Sequence, residues 1–399
     1  MKSAVRLFIP SQPTLDLLQF LPSLEPPRHS LFPLDLLDGP AAQRFYLARA
    51  GVYHALLHWL RAPGEKIAQS NNIVLMPAYH HGVEVEAVRA TGANIVFYRV
   101  DADMRIDLDD IASKAARPGV RVIYVTHFAG FAQPIAEVRK IAQSHNLRLF
   151  EDCALALFSC APEGAPLGSI GDASCYCLYK TLPVPHGGIL LAPDVPAAAV
   201  NPPPLLSTLH HVAGLTLAHL EMRFAGLGRA VRRAARAAAH ATVDKAVAMV
   251  QTGTSHLDTR DLGLGASRWV DSILARTDAK TVVARRRLNF SRLAAALEGV
   301  LPAVGAPLPP GVCPLFLPVR VDSARRHGLD KPALMRRLHA VGIDAINFWS
   351  TGDPACDPLE FPEVTQMRRQ ILELPCHQSL DDGDIDRVAN AVKEAVGHM

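Results

Sequence analysis

The 399-residue sequence has no stretch of 18 uninterrupted apolar residues, which excludes a membrane-spanning helix of ordinary length. Its first residues, Met-Lys-Ser-Ala-Val-Arg-Leu-Phe-Ile-Pro, lack the apolar core of a secretory signal, so a cytoplasmic location is expected. Charge of one sign is nearly absent in excess: 41 basic against 38 acidic residues leave a net +3, too little to argue for a nucleic-acid partner. There is no Cys-x-x-Cys pair, and seven cysteines cannot all be bridged, which favours a reducing compartment over a disulfide framework. Cys175 and Cys177 lie two apart on a predicted strand and share a face. No histidines accompany them at ligand spacing, so packing is expected there and no metal. Internal repeats are missing too.

What the chain does contain is enough apolar residue, 49%, to bury a large core as one large or two medium domains. Residues 1–40 hold seven prolines and read as an extended arm with one short helix near Leu15 to Leu21, of the kind that lies on another surface. At Arg44-Phe-Tyr-Leu-Ala-Arg-Ala-Gly51 a short strand leads into a helix from Val52 to Arg61, placing Gly51 at the junction, where helix amides can approach a phosphate. Strands then alternate with helices: Ile73 to Met76, Ile95 to Val100, Val120 to Thr126 and Leu147 to Phe150, separated by helices Val83 to Thr91, Leu108 to Ala116 and Ile135 to His145. Continuous Val/Ile/Leu strands each followed by a helix indicate an α/β fold, a mostly parallel sheet covered on both faces. Such sheets bind ligands at the carboxyl ends of their strands. Gly51, Tyr79 to His81, His127, Asp152 and Lys180 all fall at predicted strand ends and are expected on one rim.

A carboxylate at Asp152 and an amine at Lys180, brought to one sheet edge, are what pyridoxal phosphate requires: an amine for the Schiff base and an anion to keep the pyridine nitrogen protonated. Beyond residue 285 the pattern becomes α+β, with strands Pro314 to Val321 and Asp344 to Trp349 and helices Lys331 to Val341, Val364 to Leu372 and Gly383 to Val396. The expected division is therefore an arm at 1–40, a large cofactor-binding domain at 41–284 and a smaller domain at 285–399.

Several motifs together resemble the DegT/DnrJ/EryC1/StrS family of sugar aminotransferases: Met76-Pro-Ala-Tyr-His-His-Gly, Val100-Asp-Ala-Asp, His127-Phe-Ala-Gly, Glu151-Asp-Cys-Ala, Leu167-Gly-Ser-Ile-Gly-Asp, Lys180 with Gly187-Gly188, and the tail Ile371-Leu-Glu-Leu-Pro-Cys-His-Gln-Ser-Leu. The resemblance implies a pyridoxal phosphate enzyme of fold type I in which Lys180 carries the cofactor, Asp152 binds the pyridine nitrogen, the Gly51 turn binds the phosphate and His81 stacks on the ring. It also implies a homodimer with composite sites, glutamate as amino donor and a nucleotide-linked keto sugar as acceptor. Where the family has Ser or Thr after its loop glycine this chain has Val52; Leu155 stands for a usual glutamine, and Cys177 for the serine before the lysine. The family's Gly-Tyr-Asn segment that crosses the dimer has only Gly265-Ala-Ser-Arg268 as a candidate. The alternatives are another pyridoxal phosphate reaction on a non-sugar ketone, and a catalytically silent binding or regulatory protein on the same fold.

The segment 202–240 differs in composition. An apolar stretch from Leu205 to Leu220 precedes a helix carrying Arg229, Arg232, Arg233, Arg236 and His240 on one face. That face reads either as solvated surface or as an anchor for an anion, the diphosphate of an activated substrate or a lipid headgroup at a peripheral membrane contact.

Overall fold

The structure, a computed structural model, describes residues 8–16, 18, 31–61, 72–224, 226–228, 230–231, 256–322 and 329–397. The arginine stripe and most of the helix expected at Leu15 to Leu21 lie outside the described residues. In chain order the first half runs β1 (Ala42–Phe45), α1 (Ala48–Leu60), β2 (Ile73–Pro77), α2 (Val83–Arg89), β3 (Asn94–Tyr98), α3 (Leu108–Ala115), β4 (Val120–Thr126), α4 (Ile135–Ser144), β5 (Arg148–Asp152), β6 (Ala173–Cys177), α5 (Leu178–Thr181) and β7 (Gly188–Leu191). The second half adds α6 (Leu205–Arg223), α7 (Arg268–Leu274), α8 (Ala279–Ala296), β8 (Leu317–Arg320), α9 (Lys331–Ala340), β9 (Ile346–Asn347), α10 (Pro362–Gln370), β10 (Ile371–Leu374) and α11 (Asp382–Val396).

Seven strands form one sheet in the order β1-β7-β6-β5-β4-β2-β3. Only β7 runs against its neighbours, pairing antiparallel with both β1 and β6. Buried on both faces, the central strands need apolar side chains at every position, which is why Val122 to Val125 are all fully buried. Parallel pairing of β2 with β4, β4 with β5 and β5 with β6 brings the carboxyl ends of these four strands to one edge, and the site is built there.

A second sheet of three antiparallel strands, β8-β10-β9, packs its Leu317, Val319, Leu372 and Leu374 face on α8, α9 and α11. Its central strand is β10, so Ile371 and Leu372 belong to a strand and not to the end of the preceding helix as the periodicity suggests. Strand β9 holds two residues where six were expected, because Phe348 and Trp349 leave the ladder for an aromatic cluster; Trp349 has the left-handed φ of 39°. The arm lies on this second unit: Ile9 bridges Ile343, the Ser11 amide and hydroxyl both donate to Asp344 Oδ2, and His377 Nε2 donates to the Pro10 carbonyl. No helix among the described residues is long and apolar enough to cross a membrane.

Candidate active site

A cavity of about 260 Å³ opens at the carboxyl edge of the large sheet. It is lined by Asp152, Lys180, Cys175 and Cys177 from β5, β6 and α5, and by His81 and Glu84 beside α2. The start of α1 supplies Leu47, Ala48, Arg49 and Val52. Across from these, Phe316, Phe348, Trp349 and Glu373 come from the second unit, and Ser11 and Gln12 from the arm.

Asp152 ends β5 and is 6% exposed. Its two oxygens are held separately: the Tyr124 hydroxyl donates to Oδ2 at 2.8 Å and the Ala154 amide to Oδ1 at 2.9 Å. Burial pushes the Tyr124 phenol well up, with Asp152 adding to the effect, so the phenol stays a neutral donor. Cys175 Sγ lies 3.5 Å from Oδ1 as a weak third donor. Both strand cysteines face the cavity, as their spacing of two requires, and burial pushes both thiols up, so neither is a ready nucleophile.

Lys180 sits not at the end of β6 but one turn on, in the short helix α5. That helix is anchored from the second unit: Arg286 Nη2 and Gln378 Nε2 each donate to the Thr181 carbonyl at 2.9 Å. Arg286 is fully buried, and its remaining donors go to Gln378 Oε1, Pro314 O and Leu315 O. Nothing in the sequence around Arg285-Arg-Arg singles it out.

Gly51, expected at the strand-to-helix junction, lies instead inside α1, four residues past the N-cap Leu47. A methyl group there would meet Leu190 Cβ at 3.0 Å, so this glycine serves close packing of α1 on β7. The residues at the helix start are Ala48, Arg49 and Ala50, and an α-helix leaves its first amides without carbonyl partners inside the helix. Val52 lines the cavity with an apolar side chain. The Gly187-Gly188 motif has a steric reason: a Cβ on Gly188 would collide with the Ala48 backbone, and Gly187 takes φ 133° against Leu178. Together they let β7 approach the start of α1.

Burial, aided by Lys180, Arg49 and Arg368, pushes His81 down to about 4, so its ring is neutral near pH 7. Glu84 Oε1 takes the His81 amide at 2.7 Å, fixing the loop that presents the ring. His80 points away: its Nδ1 donates to Pro77 O and its Nε2 accepts from the Asp353 amide, which defines a neutral tautomer. His127 and Tyr79 are not brought to the cavity. His127 is fully buried, accepts from the Gln133 amide at Nδ1 and donates from Nε2 to Glu151. Glu151 also takes the amides of Gly168, Ile170 and Gly171. The Leu167-Gly-Ser-Ile-Gly-Asp motif is therefore a loop wrapped on a buried carboxylate behind the sheet. His127, Glu151 and Cys153 have metal-ligand spacing, but the ligating atoms of His127 and Glu151 are already engaged in these bonds.

Glu373 was not legible as a site residue, since it reaches the cavity from the far end of the chain. Burial pushes its carboxyl up to about 8, with Lys180 and Lys331 opposing and Asp344 assisting. A raised carboxyl pKa favours the protonated folded state, so the associated stability is complete below the ordinary carboxyl value and is lost as pH rises through about 8. Glu373→Gln mimics the protonated form. Its melting temperature is expected to match the parent near pH 4.5 and to exceed it by a few degrees at about pH 9; scanning calorimetry at both pH values checks this, and equal curves at both would refute it.

The open, mostly parallel seven-stranded sheet with one reversed strand is the α/β architecture expected of the large unit, and a lysine and an aspartate stand at its carboxyl edge. Residues 43–199 match the model of the DegT/DnrJ/EryC1/StrS aminotransferase family, which bears out over that segment the resemblance carried by the motifs. A spore coat polysaccharide biosynthesis protein of Bacillus subtilis is 28% identical over 174 residues, 40% of this chain and 43% of that protein. A UDP-N-acetyl-3-dehydro-alpha-D-glucosamine 3-aminotransferase of Acidithiobacillus ferrooxidans is 33% identical over 110 residues, 27% of this chain and 29% of that protein. The chain thus matches less than half the length of these curated relatives. Among solved structures, the aminotransferase PseC of Helicobacter pylori superposes over 98% of this chain and 100% of its own, with a TM-score of 0.66 at 15% identity. The aminotransferase TlmJ of Streptoalloteichus hindustanus does so over 98% and 99%, with a TM-score of 0.63 at 20% identity. At these identities the likeness is one of fold.

Proposed function

We propose that the protein is a pyridoxal-phosphate-dependent aminotransferase that moves an amino group from an amino acid, glutamate by family resemblance, to a nucleotide-linked keto sugar. The observation that carries this reading is the sharing of one cavity by Lys180 and Asp152, with Asp152 clamped by Tyr124 and Ala154. The residues fit the cofactor: an amine, a buried carboxylate with both oxygens oriented, a neutral imidazole and a helix start with Arg49 nearby. When bound, pyridoxal phosphate supplies an aldehyde for the amine and a ring that accepts an electron pair.

Lys180 Nζ would hold the cofactor through its aldehyde and would serve as the base that moves the proton at the donor carbon. Asp152 holds the ring nitrogen protonated, an ion pair that favours both charged partners. His81 would offer a neutral face for stacking, and the amides at the start of α1 with Arg49 would hold the phosphate. Val52 and Leu155 keep water from the ring. The protein with cofactor is expected to be yellow, and borohydride should fix the cofactor to Lys180. Peptide mapping that found the label on another lysine, or no label, would overturn the reading.

A homodimer belongs to the same proposal. Leu205, Leu206 and Leu209 stand exposed along α6, and Phe224 and Leu227 continue that apolar surface, which a second copy would cover. Light scattering at micromolar concentration is expected to give twice the chain mass, and Leu206→Arg to shift it toward the single chain. An active parent protein of single-chain mass would rule the dimer out.

A further inference from the structure

The cavity wall formed by the second unit and the arm is apolar in most of its area, from Leu315, Phe316, Ile346, Phe348 and Trp349. Glu373 is its one ionisable side chain among the described residues. Strand alternation fixes where it points. Leu372 and Leu374 face the core of the second unit with Leu317 and Val319, so Glu373, paired with Pro318 and Ile346, faces the opposite way, toward the cavity and Lys180. Among the described residues its carboxyl has no hydrogen-bond or ion-pair partner, only longer-range interactions with Lys180, Lys331 and Asp344. The side chain is half-buried and open to the cavity. A carboxyl standing alone on an otherwise apolar cavity wall is a place where a polar substituent of a ligand can pair.

We propose that Glu373 is a specificity-determining residue that hydrogen-bonds a hydroxyl or amine substituent of the acceptor at the wall facing Lys180. Gln12 of the arm, exposed at the same wall, adds a carboxamide of matching chemistry. This inference rests on the aminotransferase reading and names which part of the acceptor the second unit recognises.

The test uses cofactor-loaded full-length protein titrated with D-glucosamine and with L-glutamate, following the cofactor's visible absorbance as the measure of binding. In Glu373→Leu the ratio of glucosamine to glutamate affinity is expected to fall about tenfold, the loss of one hydrogen bond to a polar substituent. Glu373→Gln keeps a donor and an acceptor, so its ratio should stay within about threefold of the parent, which also guards against a folding defect in the leucine variant. An unchanged ratio in Glu373→Leu, or parallel loss of both probes, would overturn the proposal, the second outcome assigning Glu373 to Lys180 itself. Absence of cofactor absorbance in the parent protein would instead bring down the aminotransferase reading, and this inference with it.

Discussion

Asp152→Asn is expected to lower turnover of the cofactor-loaded protein by about a thousandfold, equivalent to about 4 kcal/mol of transition-state stabilisation, with the cofactor still bound. Asparagine keeps the size of the side chain and can still accept from the Ala154 amide, but it carries no charge to hold a ring nitrogen protonated. Tyr124→Phe removes one of the two strong bonds that orient the carboxylate and should cost about tenfold. Single-turnover kinetics on both variants, with visible spectra to confirm loading, separates the two effects. Near-parental turnover in Asp152→Asn would mean that the carboxylate does not serve the ring.

The second large effect is on stability. Arg286→Met should destabilise the fold by on the order of 3 kcal/mol or more, because the buried guanidinium is removed, its bonds to Pro314 O, Leu315 O and Gln378 Oε1 are lost, and Thr181 O keeps only the bond from Gln378. Burial lowers the pKa of Arg286, a sign that these bonds and no neighbouring carboxylate hold the charge. Denaturant titration reads the loss. Cofactor affinity should fall as well, since the Thr181 carbonyl anchors the helix that carries Lys180. Arg286→Lys, with three donors in place of five, is expected to lie between the two. A parental midpoint for the methionine variant would refute the account.

The alternating half of the fold was legible because doubly buried strands such as Val120 to Thr126 are continuous apolar runs, and their helices are amphipathic. Strand β10 was not, since Ile371-Leu-Glu-Leu follows Gln370 without a turn residue and prolongs the helical pattern of α10. In the site, Asp152, Lys180 and His81 could be found because strand ends in a parallel sheet converge. Arg49 was passed over because the N-cap of α1 is Leu47, whose side chain makes no capping bond, so the sequence offered Gly51 as the nearer signal. Glu373, Ser11, Gln12 and Arg286 lie more than a hundred residues from Lys180 in the sequence, and local pattern carries no information about which of those faces the cavity.

The arm's attachment constrains how this region can change over generations. Ile9 is fixed to residues 342–344 by two backbone bonds and Thr14 to Ser379 and His219, and of the four residues between them Ser11 and Gln12 line the cavity. Most of their hold comes from the main chain, which any side chain can supply, so substitutions at Ser11 or Gln12 reshape the wall while the span itself stays put. Adding or deleting a residue within it would swing both positions out of the wall at once. Homologous chains with different substrates are therefore expected to vary the letters of this span and keep its length.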